Sequence, residues 1–156
     1  MRFGLLLGGL FIPAAASGQS YQPQFSNYPV AERYHGRQAA PKLVRGTAAW
    51  LFRTRIREAA QGKPNFAGHY IAATWGCGAE CLSSAIIDVK TGTVYFNDVS
   101  TCCWFSAPAA TPTEDFEPIR FRLNSRLIIF TGLLGEAGRN GAHYFRFEHG
   151  RLIAIR

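Results

Sequence analysis

The sequence predicts an α+β fold, an antiparallel β-meander or small sandwich of about six strands with one N-terminal helix packed on it. Three observations carry this expectation. Apolar residues alternate with a period of two from Phe66 onward, and short turns containing Gly or Asn separate the alternating runs. One segment, Thr47 to Ala60, instead spaces its apolar residues as a helix does. Short reversals make neighbouring strands antiparallel, because a parallel pair needs a crossover of about a dozen residues.

Residues 19–46 scatter Gln, Pro, Ser, Asn and Tyr among few periodic apolar positions, and read as an extended arm with one short strand near Tyr28 to Val30. Thr47 can cap the helix, and Ala49, Phe52, Ile56, Ala59 and Ala60 form its apolar stripe. Gly62 and Pro64 end it, and Arg53, Arg57, Glu58 and Gln61 make a solvated face. Phe66 to Trp75 then reads as a strand, with Phe66, Tyr70 and Ala72 on one side and His69, Ile71, Ala73 and Trp75 on the other. Ala85 to Val89 turns through Lys90, Thr91 and Gly92 into Thr93 to Phe96, where Gly92 can take a positive φ. Two further hairpins are expected. Arg120 to Leu123 turns at Asn124 and Ser125 into Arg126 to Thr131, and Ala142 to Phe147 turns at His149 and Gly150 into Arg151 to Ile155. Residues 47–156 therefore read as a single β-rich domain.

Size and composition exclude whole classes. The chain has 156 residues, 47% hydrophobic and 17% charged, with 12 Phe, 6 Tyr and 3 Trp, which is far too aromatic for a disordered chain. No run approaches the roughly 20 apolar residues of a spanning helix, so no membrane span is expected. The first 18 residues follow the order of an export signal: Arg2, an apolar run from Phe3 to Ile12, Pro13, then small residues from Ala14 to Gly18. Residues 1–18 are therefore expected to be a cleaved signal peptide, and the protein to be periplasmic or secreted. The net charge of +7 comes from 14 Arg and 3 Lys against 10 acids, read here as scattered along the chain. Scattered cations fit an envelope protein among acidic surfaces and do not point to nucleic acid.

Cys77, Cys81, Cys102 and Cys103 are an even set in a chain read as exported, and thiols pair in oxidising compartments. Two disulfides are expected. A Cys102–Cys103 bridge would distort its own peptide, which leaves two arrangements: links between the 77/81 pair and the 102/103 pair, which are favoured, or closure of the small Cys77–Cys81 loop. Zinc would find a usable spacing at Cys77 and Cys81 with His69 or His143, but Cys102 and Cys103 have none, and no metal is expected. A nucleophilic Cys–His dyad would require a reduced thiol.

The densest motif cluster is NFAGHYIAATWGCGAECLSSAIIDVKTGTVYF, residues 65–96. With NFAGHY, WGCG followed by a second Cys, and IID followed by a TG turn, it resembles a set of short exported bacterial proteins of uncharacterised function. The resemblance implies export and a similar β-rich fold, with no activity attached. The adjacent Cys102 and Cys103 depart from that simpler pattern.

Within this cluster, Trp75, Gly76 and Gly78 suit a tight turn that Cys81 brings back. Gly78, Ala79 and Glu80 would form a small rigid tip able to enter a partner's cleft at little entropic cost. A second loop, Ser100 to Phe105, would add an exposed Trp104 and Phe105 at the same end. His69 and His143 alternate with large apolar residues, as core histidines do. Ser83 and Ser84 lack a nucleophile elbow, and the acids Glu114, Asp115 and Glu117 lie in a Pro-rich loop. No phosphate-binding loop is present and no cofactor is expected. Two functions follow as expectations: a disulfide-stabilised binding protein, such as an inhibitor or immunity protein acting on an envelope-directed enzyme, or a small envelope hydrolase using His69 or His143 with a nearby acid.

Overall fold

A computed structural model describes residues 21–97, 100–106, 116–135 and 137–156. The expected export segment, residues 1–18, and the acids Glu114 and Asp115 lie outside the described residues.

Among the described residues eight strands form one antiparallel sheet: β1 (Tyr70–Gly78), β2 (Cys81–Asp88), β3 (Val94–Phe96), β4 (Thr101–Cys102), β5 (Ile119–Phe121), β6 (Leu127–Leu134), β7 (Ala137–Glu148) and β8 (Arg151–Ala154). The order is β1-β2-β4-β6-β7-β8, with β3 also paired to β2 and β5 to β6. The three expected hairpins all form. His149 and Gly150, with φ of 49° and 76°, make the two-residue turn between β7 and β8 that a right-twisted hairpin favours.

Seven of these strands fall on the segments read as strands, against a stated count of about six, and the eighth is β4, a two-residue strap too short to have a period. It joins the two halves of the sheet: Thr101 and Cys102 pair with Leu82 and Cys81 on one side and with Leu134 and Leu133 on the other. Thr101 is fully buried and its hydroxyl donates to the Thr131 carbonyl at 2.9 Å. Gly132 lets the strap sit this close, because a Cβ at its φ of +123° would collide with the Cys102 carbonyl.

The β1–β2 hairpin has a core on each face. On one side Ala72 and Ile86 meet Phe66, Ile119, Ile128, Phe130 and Phe147, which lie between the two halves of the sheet. On the other, Ile71, Ala73, Trp75, Ala85 and Ile87 pack under Ile56 of the helical layer. Strand β2 is consequently buried continuously from Ser84 to Asp88. Each fully buried Phe or Ile here stabilises the fold by about 1.5–3 kcal/mol relative to an exposed side chain.

The helix departs from the single segment expected. It is two short pieces, α1 (Ala48–Leu51) and α2 (Arg53–Ala59), broken at Phe52, whose ψ is 24°. The Phe52 ring packs 5.2 Å from that of Trp75 and 5.7 Å from that of Phe96, so contact with the sheet outweighs helix continuity there. Thr47 does cap α1, its hydroxyl oxygen accepting from the Trp50 N–H at 3.4 Å. The expected strand from Phe66 is also shorter: Phe66 bridges Tyr70 around a turn at Ala67 to His69, and the strand proper begins at Tyr70.

The described part of the arm, residues 21–46, is irregular apart from a 3-10 turn at Phe25–Asn27, and it is stitched to the sheet. Pro29 bridges Ser125, the Tyr34 N–H donates to the Gly68 carbonyl, and the N–H groups of Ala39 and Lys42 donate to the carbonyls of Val89 and Gly92. Ser125 is fully buried beneath it and its hydroxyl faces the carbonyls of Phe25 and Tyr28 at 2.8 and 3.1 Å.

Candidate functional site

The β1–β2 hairpin presents two candidate regions, one at each end. At the tip, Gly78 pairs with Cys81 after an irregularity between Gly76 and Gly78. Ala79 and Glu80 make the reversal, with Gly78 and Glu80 at φ of 152° and 45°. A disulfide joins Cys77 and Cys81, whose Cα atoms are 5.1 Å apart. This corrects the favoured expectation of a link between the two cysteine pairs. The hairpin itself brings Cys77 and Cys81 together, and although Cys102 is the register partner of Cys81, the bond closes locally. Gly76, Cys77, Gly78 and Ala79 are exposed and Glu80 is half-buried.

The Ser100–Phe105 segment does lie at the same end. The Cys103 N–H donates to the Glu80 carbonyl at 3.1 Å, and the Cys103 carbonyl accepts from the Asn140 amide at 2.8 Å. Cys102 is buried and Cys103 half-buried. Trp104 corrects its expectation: it is 9% exposed rather than displayed, and it opens a 3-10 turn that lies against β6 and β7. Phe105, the next residue, is 54% exposed. The tip thus offers Gly78, Ala79, Glu80 and Phe105, without Trp104.

At the opposite end, a cleft of about 500 Å³ is lined by His69, Tyr70, Lys90, Arg126, Glu148 and His149, among others. His69 was expected on the face of Ile71 and Trp75. It instead falls in the turn before β1, where Ala67 and Gly68 have φ of 42° and 83°, and it opens onto the cleft. Its Nε2 lies 3.8 Å from Asp88 Oδ1, beyond hydrogen-bond range. Asp88 already has partners: Oδ1 accepts the Lys90 N–H at 2.8 Å and Oδ2 the Thr91 hydroxyl at 2.9 Å. Burial first, then the Lys90 cation, hold the His69 imidazolium below its usual range, with Asp88 pulling the other way. Burial, with Asp88 and Tyr95 adding to it, pushes the Tyr70 phenol up to about 12. At neutral pH the cleft therefore holds a neutral imidazole whose ring centre lies 4.0 Å from that of a protonated tyrosine, the two planes tilted by 34°. Glu148 is paired to Arg126 at 2.7 Å and to Arg146 at 3.1 Å.

His143 belongs to neither region. Its Nε2 is 3.0 Å from both the Gly132 and the Arg139 carbonyls, so that nitrogen carries the proton and donates to them, tying the β6–β7 hairpin. Glu117 is exposed, and Ser84 is buried and bonded to Asn97.

No family model, curated protein or solved structure matches this chain. Among the described residues no group of three or more His, Cys, Asp or Glu is placed to hold a metal ion, and no helix is long and apolar enough to cross a membrane. Glu80, Trp104, His69 and His143 do not converge on one pocket: Glu80 is at the tip, Trp104 is buried near it, and His69 lines the far cleft without His143. Sequence reading missed the cleft's other members, Lys90, Arg126, Glu148 and His149. The signal for Asp88 was present, since an acid two residues before Lys90 and four before Gly92 is the pattern of an Asx turn.

Proposed function

We propose that this chain is an exported, disulfide-stabilised binding protein whose hairpin tip engages an envelope protein, in the manner of an inhibitor or immunity protein. The observation that carries the reading is the tip itself. Gly76 to Ala79 are exposed, closed by the Cys77–Cys81 bond, and accompanied by Phe105 at 54% exposure. A closed loop has already lost the freedom that a flexible one gives up on binding, and an exposed aromatic beside it supplies an anchor. The disulfide agrees with an oxidising compartment, as does the signal-like order of residues 1–18.

The test is affinity capture from periplasmic extract with the oxidised protein. The reading expects a stoichiometric partner whose retention drops at least tenfold with Ala79→Arg or Phe105→Ala while the thermal midpoint is unchanged. Equal retention by both variants would sink it.

A second reading, a small hydrolase, has one observation in its favour: His69, near Asp88, opens onto the cleft. The geometry ranks it second because Asp88 is engaged by its own turn and His143 by two carbonyls. A hydrolytic activity abolished by His69→Gln and untouched by Ala79→Arg would reverse that order.

A further inference from the structure

The net charge of the molecule lies in one layer. Residues 33–63 hold eight of the basic residues and a single acid, Glu58, so this segment carries +7 and the rest of the chain sums to zero. All eight cations are exposed. The segment is the end of the arm plus α1 and α2, which cover the outer face of the β1–β2 hairpin. The cations are spread along the chain, but the nine outside this layer are equalled by nine acids, and the eight inside it face one.

At the centre of the layer is an aromatic and aliphatic patch. The guanidinium groups of Arg45 and Arg53 lie 5.2 and 5.0 Å from the centre of the Trp50 ring. Beside it Leu51 is 70% and Val44 62% exposed, more than any other large aliphatic side chain among the described residues. A soluble polyanion would satisfy the cations and leave Leu51 and Val44 in water. A bilayer offers both terms at once: anionic headgroups for the arginines and the headgroup–acyl boundary for the apolar side chains, with tryptophan at the depth it favours.

We propose that α1 and its flanking residues form a peripheral docking surface for an anionic lipid bilayer, with Val44, Trp50 and Leu51 entering the interface and Arg45 and Arg53 meeting the headgroups. This surface is separate from the hairpin tip and does not depend on the partner proposed there. It would hold the protein against a membrane without a span.

The experiment is sedimentation of the purified full-length exported protein with vesicles of phosphatidylcholine alone, or of phosphatidylcholine mixed with phosphatidylglycerol, at low and high salt. Every variant shares one N terminus, so any contribution of the first residues is common to all. Binding is expected to the anionic vesicles only and to fall at high salt. Arg45→Gln and Arg53→Gln should each weaken partitioning about fivefold. Val44→Ser with Leu51→Ser should weaken vesicle binding several-fold but leave binding to soluble heparin or duplex DNA unchanged. Absence of binding, equal binding to both vesicle types, or insensitivity to the arginine pair overturns the proposal. If the serine pair binds anionic vesicles as the parent does, the face is an electrostatic polyanion surface and the bilayer assignment is wrong. All four positions are exposed or half-exposed, and an unchanged thermal midpoint verifies that folding is intact.

Discussion

The two ends of the β1–β2 hairpin share the same two strands and are held by opposite means. At the tip, Gly76 to Ala79 have no side chain in a core, and a disulfide supplies the closure. At the other end, Asp88 is 6% and Val89 1% exposed, the arm crosses over the turn, and packing with hydrogen bonds does the work. A region that must stay accessible cannot bury apolar surface for its own stability. A covalent link rigidifies it without covering it.

The sharpest way to break this contrast is to attack the buried end. Phe66 is fully buried where the chain enters that end, its ring 6.1 Å from Phe121 and 5.7 Å from Phe147. Phe66→Ala should lower unfolding free energy by about 3–5 kcal/mol, read from denaturant midpoints. Gly92 comes next: at φ +75° a Cβ would collide with the Ala40 carbonyl, where the arm crosses. Gly92→Ala should cost about 2–3 kcal/mol and speed amide exchange at Ala39 and Lys42, whose N–H groups bond there.

Removing the tip bond should do less, and more locally. Closing a loop of about five residues is worth about 2 kcal/mol by the chain-entropy relation. Cys77→Ser with Cys81→Ser should lose about that much, with faster hydrogen exchange confined to residues 76–81. If exchange at Asp88 and Val89 rises equally, the two ends are one cooperative unit and the contrast fails.

The smallest effect is one of pH. The folded pKa of His69 lies below its unfolded value near 6.5, so the unfolded chain takes up the proton first as pH falls. Stability is full above that value and declines in mild acid. His69→Gln should remove that part of the acid slope and leave the neutral value unchanged, by urea unfolding at several pH values. A parallel slope in the variant would mean that His69 is not desolvated in the cleft.

Much of the fold was legible because it follows from local alternation. The split of Ile71, Ala73 and Trp75 from Ala72 across β1, the turn at Gly92 and the His149–Gly150 reversal all needed only a period and a turn residue. What was illegible depends on distant partners. Strand β4 is two residues long, the break at Phe52 answers to Trp75 and Phe96, and Trp104 is buried in a 3-10 turn that lies against β6 and β7, which come later in the chain. The charge of residues 33–63 could be counted in the sequence, but only packing shows that they form one outer layer.

The sequence by itself determined the antiparallel character, the hairpin turns, the apolar stripe of the helical segment and the presence of cysteines four apart, since each is a matter of neighbours along the chain. The tertiary structure alone decided how the β4 strap seats against Cys81 and Leu82, which aromatic stays exposed beside the tip, and where His69 opens. Those outcomes depend on what lies opposite a residue in space, and a backbone that reverses this often brings together residues that sequence distance keeps apart.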